Sequence, residues 1–224
     1  DISSWDVSNV ENLSWMFASA KNFNGDISSW DLSNAITMEA MFAGASNFNK
    51  DLSSWDVSNV LNMKNMFNES NVFNEDISTW DVSSVSTMEG MFYNADSFNS
   101  DISSWDVSNV TNMHRMFQET EFNGDISSWD VSNVENLSWM FANNTQFNGD
   151  VSTWDVSNVV YMENMFENAE NFNQDISTWN VLNVTNFYNM FENTISLSNL
   201  NKCLIHNAFL INLNWTYDWS EFCD

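Results

Sequence analysis

Residues 101–127 read DISSWDVSNVTNMHRMFQETEFNGDIS, and this stretch with its copies decides the architecture. Trp105 recurs as Trp5, Trp30, Trp55, Trp80, Trp129, Trp154 and Trp179. Seven of the eight tryptophans open Trp-Asp-Val/Leu-Ser, and the eighth opens Trp179-Asn180-Val181-Leu182. The spacing is 25 residues at every step except the 24 between Trp105 and Trp129. A fixed period of this size marks stacked small units, none of which can bury its apolar face alone.

Within the stretch, Trp105-Asp106-Val107 alternates apolar and polar, the pattern of a short strand. Ile102 and Val107 are an odd number of residues apart, so burying both requires a bend at Ser103-Ser104. Ser108-Asn109 suits a helix N-cap. Val110, Met113, Met116 and Phe117 then recur at helical spacing. Phe122-Asn123-Gly124-Asp125 returns the chain to the next copy. The expectation is an α/β repeat solenoid, leucine-rich-repeat-like, with one short strand and one short helix per rung. It has eight rungs over residues 1–199 and a C-terminal cap over residues 200–224. The 24-residue step loses its residue between Phe117 and Phe122, where a loop absorbs the deletion.

Charge narrows the partners. Five Lys and Arg stand against 31 Asp and Glu, for a net charge of −26. Phosphate recognition needs Lys and Arg, so no nucleic acid is expected, nor attraction to an anionic membrane. Apolar runs are only a few residues long, which predicts no direct membrane insertion. The sequence starts inside a repeat, and the reading is of a mature fragment of a longer array. A hydrophobic fraction of 43% with strictly spaced large residues predicts a folded chain rather than a disordered one. With no proline and five glycines, Asn, Asp and Ser must build most turns.

Cys203 and Cys223 sit at either end of the non-repetitive tail. A disulfide between them would close a loop of about 20 residues, contribute on the order of 3 kcal/mol, and imply an oxidising, extracellular or cell-surface location.

Two carboxylate rows are the candidate chemistry. One runs Asp1, Asp26, Asp51, Asp76, Asp101, Asp125, Asp150 and Asp175. The other, beside the tryptophans, runs Asp6, Asp31, Asp56, Asp81, Asp106, Asp130 and Asp155. The second row allows a divalent-cation reading, with Ca²⁺ the candidate ion and Ser and Asn supplying further oxygens. The alternative is that the first row caps turns and the second is a solvated strand face. No rung carries the clustered ligands of a Ca²⁺ loop, which favours the alternative.

The tryptophan column reads as a buried stack or as a sugar-stacking platform, and its alternation with Val favours burial. Asn24, Asn49, Asn74, Asn99, Asn123, Asn148 and Asn173 are expected to form an amide ladder that satisfies backbone groups. The Ser/Thr row from Ser4 and Ser29 to Thr178 could form a flat hydroxyl face. Trp15 and Trp139 are expected to face solvent on the variable side, with Lys21, Lys50 and Glu121. His114 and His206 are isolated, every row carboxylate is repeated where an active site is singular, and no enzyme is predicted.

The phrase D-[IL]-S-x-W-D-[VL]-S-N-V-x-x-M-x-x-M-F…F-N resembles the BspA-like leucine-rich-repeat surface proteins, mycoplasma lipoproteins among them. The resemblance runs from Asp1 to about Phe191, and the residues that depart from it are Ala35, Ser84 and Asn180. It implies a cell-surface or secreted structural or adhesive module that binds a protein or glycan. The other functions considered are a divalent-cation- or glycan-binding solenoid and a self-assembling extracellular filament or surface layer.

Overall fold

The computed structural model describes residues 2–223. Each copy of the motif forms one coil, and the coils stack in register. Isolated parallel bridges record that register, linking Asn12, Thr37, Asn62, Thr87, Asn112, Asn136, Tyr161 and Asn186 each to the next. The expected strand and helix in every rung are not there. Among the described residues, the helices are α1, Asn199–Phe209, and a 3₁₀ turn, Ser220–Phe222, both in the tail.

Turn chemistry replaces the strand. Asp101 Oδ1 accepts from Ser103 N at 2.9 Å, and Asp106 Oδ1 from Ser108 N at 3.0 Å. Trp105 N and Val110 N then close turns onto the carbonyls of Ile102 and Val107. Each Asp-x-Ser draws the backbone into a bend that an extended strand cannot contain.

Left-handed residues replace the helix. Arg115 and Glu119 have φ of 60° and 58°. The equivalent pair is left-handed in every coil, as in Asn65 and Glu69, Gly90 and Asn94, or Asn164 and Asn168. An α-helix admits no such residue. The N–H groups of Met113, Arg115, Phe117 and Glu119 donate to Asn136, Ser138, Met140 and Ala142 of the next coil, while Met116 and Gln118 turn back onto Met113 and Arg115. A two-turn helix would leave its end groups unpaired and carry the cost of nucleation. The stacked turns give alternate N–H groups a partner in the next coil. They also keep Val110, Met113, Met116 and Phe117 fully buried, so the same spacing serves both structures.

The core is a set of ladders. In the repeating column the tryptophans from Trp30 to Trp179 are buried, and each indole N–H donates to the preceding coil, as Trp105 Nε1 does to Ile77 O at 3.1 Å. The Trp80 and Trp105 rings lie 6.4 Å apart and nearly parallel. Phe117 stacks on Phe122 at 4.2 Å and on Phe92 and Phe141 of the flanking coils at 5.9 and 5.8 Å. Offset stacking of this kind adds about 0.5–1.5 kcal/mol per pair beyond burial. The short repeat keeps this register. Thr120 Oγ1 donates to Phe117 O at 2.9 Å, and Asn144 from the next coil donates to Thr120 Oγ1 and Phe122 O.

The tail covers the last coil by imitating a further one. Phe166 N donates to Met190 O, but Phe191 N donates to the Tyr217 hydroxyl at 2.8 Å. Asn212 Nδ2 reaches the carbonyls of Val181 and Val184, and Ser198 N takes the Asn173 side-chain oxygen. Trp215, Tyr217 and Trp219 pack around Phe191 at 6.4, 5.9 and 5.3 Å. The Cys203–Cys223 disulfide fastens α1 to the end of the tail. At the other end of the stack, Trp5 and Met16 of the first coil are 53% and 37% exposed.

Candidate functional site

The constant polar columns are bonded within the protein. In the second carboxylate row, Asp6, Asp31, Asp56, Asp81, Asp106, Asp130 and Asp155 accept from the backbone N–H of the serine two residues on, at 3.0–3.1 Å. Asp26, Asp51, Asp76, Asp101, Asp125, Asp150 and Asp175 of the first row do the same at 2.9–3.0 Å. The second row therefore caps turns as well, and is not the face of a strand. Asp1 lies outside the described residues.

The side-chain and then the backbone bonds from Ser8, Ser33, Ser83, Ser108 and Ser157 hold Asp6, Asp31, Asp81, Asp106 and Asp155 below the usual carboxylate range. Neighbours in a row oppose this, as Asp6 does on Asp31 and Asp106 on Asp81. Among the described residues, no three His, Cys, Asp or Glu side chains gather as a cation would need. Each row offers at most one carboxylate per coil, and Asn180 takes the place in the eighth coil of the second row.

The other constant rows point back at the preceding coil. Ser104 Oγ donates to Ser78 O at 3.0 Å, and Thr153 and Thr178 repeat the bond, so this row is not a free hydroxyl face. Asn109 Nδ2 donates to Ser83 O at 2.8 Å, which replaces its expected part in a helix cap. Asn49, Asn74, Asn99, Asn123 and Asn148 each offer a side-chain oxygen to the backbone N–H one coil further on.

What varies from coil to coil sits on the left-handed turns. One column reads Ser14, Glu39, Lys64, Glu89, His114, Ser138, Glu163 and Tyr188. Lys64 and Glu89 pair at 2.8 Å. His114 Nδ1 lies 2.7 Å from Ser138 Oγ. Burial, and after it the Arg115 charge, hold the His114 imidazole below its usual range. Arg115 lies over the Trp139 ring at 5.5 Å. Trp15 is exposed and Trp139 half-buried, with Tyr188 exposed on the same turn segments and Tyr161 exposed in the bridge column.

Lys21 and Glu121 are exposed and Lys50 is half-buried. An open groove of about 650 Å³ is lined by Asn109, Thr111, Asn133, Glu135, Asn158 and Val160, on the segments just before the bridge positions. His206 accepts from Trp215 Nε1 in the tail, whereas His114 belongs to the turn face.

The left-handed pairs were missed at the level of sequence, although a signal was there. Asn or Gly fills Asn65, Gly90, Asn164 and Asn189 in one column, and Gly44, Asn94, Asn143, Asn168 and Asn193 in the other. These residue types tolerate positive φ and disfavour helix interiors.

A family model described as "Mycoplasma protein of unknown function, DUF285" matches residues 1–105, 51–142 and 88–203. No curated protein matches the chain. No helix among the described residues is long and apolar enough to cross a membrane.

Proposed function

From the premise that the chain belongs to the DUF285 family, we propose that it is a secreted or cell-surface module, adhesive or structural in role, that binds a protein through its left-handed turn face. The observation that carries this reading is the division of labour between columns. The Asp, Ser, Asn and Trp columns are occupied by bonds within and between coils. The column from Ser14 to Tyr188 changes identity at each coil, and the turn face presents Arg115, Trp139 and Tyr188. Arg, Trp and Tyr dominate the binding energy of protein interfaces. The disulfide supports an oxidising location. The likeness of the repeat phrase to BspA-like surface proteins supports adhesion. No catalytic step belongs to this reading.

The test is adhesion of beads carrying the protein to a panel of immobilised extracellular-matrix proteins. The Arg115→Ala/Trp139→Ala/Tyr188→Ala variant is expected to lose binding at least about tenfold at an unchanged melting temperature. Binding that survives this variant, or no binding to any member of the panel, contradicts the reading.

A further inference from the structure

We propose that Asn24, Asn123 and Asn148 are sites of a spontaneous covalent modification, deamidation through a cyclic imide, and that the stacking of the coils sets the order in which they react. In four coils the Asn of the ladder is followed by Lys50, Glu75, Ser100 or Gln174. After Asn24, Asn123 and Asn148 it is followed by glycine, so three of the five glycines stand at this place. The reaction needs the main-chain nitrogen of the next residue to attack the side-chain Cγ. Glycine offers that nitrogen with no Cβ to crowd the approach. All three asparagines are exposed to water, and none lies in a helix. The nucleophile is free as well: among the described residues, the N–H groups of Gly25, Gly124 and Gly149 donate to no acceptor. The step balances with water alone. The glycine nitrogen loses its proton and bonds to Cγ, the Cγ–Nδ2 bond breaks, and ammonia leaves with that proton. Water then opens the imide at either carbonyl, giving aspartate or isoaspartate.

What differs among the three is the hold of the neighbouring coils. Asn24 Oδ1 accepts from Asn49 N at 3.1 Å, and Asn24 N has no described coil beneath it. Asn123 is held on both sides, its Oδ1 by Asn148 N at 2.8 Å and its N by Asn99 Oδ1 at 2.9 Å. Asn148 is held most. Its Oδ1 accepts from Asn173 N at 2.8 Å and from Gln174 Nε2 at 2.9 Å, and Gln174 Nε2 also donates to the Asn148 carbonyl. Closing the imide turns the side chain and the peptide that follows it, and each of these bonds resists the turn. A neutral hydrogen bond of ordinary net strength corresponds to about fivefold in an equilibrium. The order of reaction is therefore Asn24, then Asn123, then Asn148. The two products act differently on the fold. Aspartate keeps an oxygen for the N–H of the next coil. Isoaspartate threads the main chain through Cγ and lengthens it by a methylene, which takes the ladder acceptor out of place and loosens that junction. This chemistry does not depend on the partner proposed for the turn face.

Incubation of the whole oxidised chain at mildly alkaline pH, in water enriched in heavy oxygen, tests this. Chymotrypsin cuts after Phe23, Phe122 and Phe147, so peptide mass spectrometry reads each site separately. The expected result is conversion at these three sites ahead of Asn49, Asn74, Asn99 and Asn173, with solvent oxygen in each new carboxyl. Asn24 is expected to convert at least about fivefold faster than Asn148. In denaturant, with the disulfide reduced, the three sites share the sequence Phe-Asn-Gly-Asp and are expected to react alike. Gly25→Lys, which copies Lys50 of the next coil, is expected to stop conversion at Asn24 and leave the other two sites reactive. No conversion in the folded chain, over the time that converts the denatured one, overturns the proposal. So do equal rates at the three sites of the folded chain, or conversion at Asn24 that survives Gly25→Lys.

Discussion

Residues 1–10 and residues 101–110 are the same ten amino acids, DISSWDVSNV. Residues 2–10 and 102–110 make the same local structure: Trp5 N closes on Ile2 O at 3.1 Å, and Trp105 N on Ile102 O at 3.2 Å. Asp6 and Asp106 hold Ser8 and Ser108 alike. Yet Trp5 is 53% exposed and Trp105 is 4% exposed. The difference lies in what stands on the N-terminal side. Trp105 rests on the fourth coil and donates to Ile77 O, and Trp5 has no described coil beneath it. Local sequence sets the turns, and stacking sets burial and most of the stabilisation. This is the energetic logic of a repeat array, in which each unit depends on its neighbours.

The largest expected effect comes from breaking the symmetry between the two copies. Trp105→Ala should cost about 3–5 kcal/mol, as for a buried aromatic residue, and Trp5→Ala should cost about 1 kcal/mol or less. Denaturant midpoints of the two variants give the comparison. Equal losses would mean that stacking contributes little.

The cap offers the next test, because it covers the last coil, whereas no described coil lies beneath the first. Reducing Cys203–Cys223 should remove about 3 kcal/mol of stabilisation. Loosening should begin at Phe187, Phe191 and the cap, and spread toward the middle. Hydrogen exchange by mass spectrometry, before and after reduction, reads this directly. Exchange that rises equally in all coils would show that the tail does not cover the stack.

The turns, common to both copies, respond to pH. The serine-bonded aspartates have folded pKa values below their ordinary value of 3.8. The stability they contribute is fully present above that value and is lost as pH falls through the folded one. His114, held below 6.5, works in the same direction: its contribution is present above 6.5 and is lost as pH falls through the folded value. Stability should therefore start to decline just below neutrality and fall further below about pH 4. Asp106→Asn should flatten the lower part of this fall, since Asn180 already serves as the turn acceptor in the eighth coil. Melting temperatures of the two proteins across an acid series check this.

The smallest effect concerns the left-handed turns. Glu69 is exposed at φ 56°, and Glu69→Gly should stabilise by about 1 kcal/mol by relieving the contact between Cβ and backbone. Gly90→Ala should do the reverse, because its φ is +59° and a Cβ there would collide with Asn65 Oδ1. Thermal melts of both variants should move in opposite directions.

Much of this was legible in the sequence, and the illegible part has a physical cause. The tryptophan and phenylalanine periods predicted the stacked register and the inward residues, because ladder positions must repeat. The Asn ladder was readable for the same reason. The strand and helix were not, because apolar spacing constrains which side chains point inward and not how the backbone pairs. Val110, Met113, Met116 and Phe117 fit a helix and fit stacked turns equally well. What separates the two is the tolerance of positive φ at Asn65, Gly90 or Asn164, a signal carried by residue types rather than by their period. The turn-face residues are the least legible, since a column that changes at every coil has no pattern to read.

Hydrogen exchange at the two indole N–H groups, followed by NMR on the oxidised protein, tests the central claim most directly. The account predicts that Trp105 Nε1 exchanges as slowly as Trp80 Nε1, and that Trp5 Nε1 exchanges close to the rate of an unprotected indole. Equal protection of Trp5 and Trp105 would contradict it, because identical segments would then be buried without a coil beneath the first.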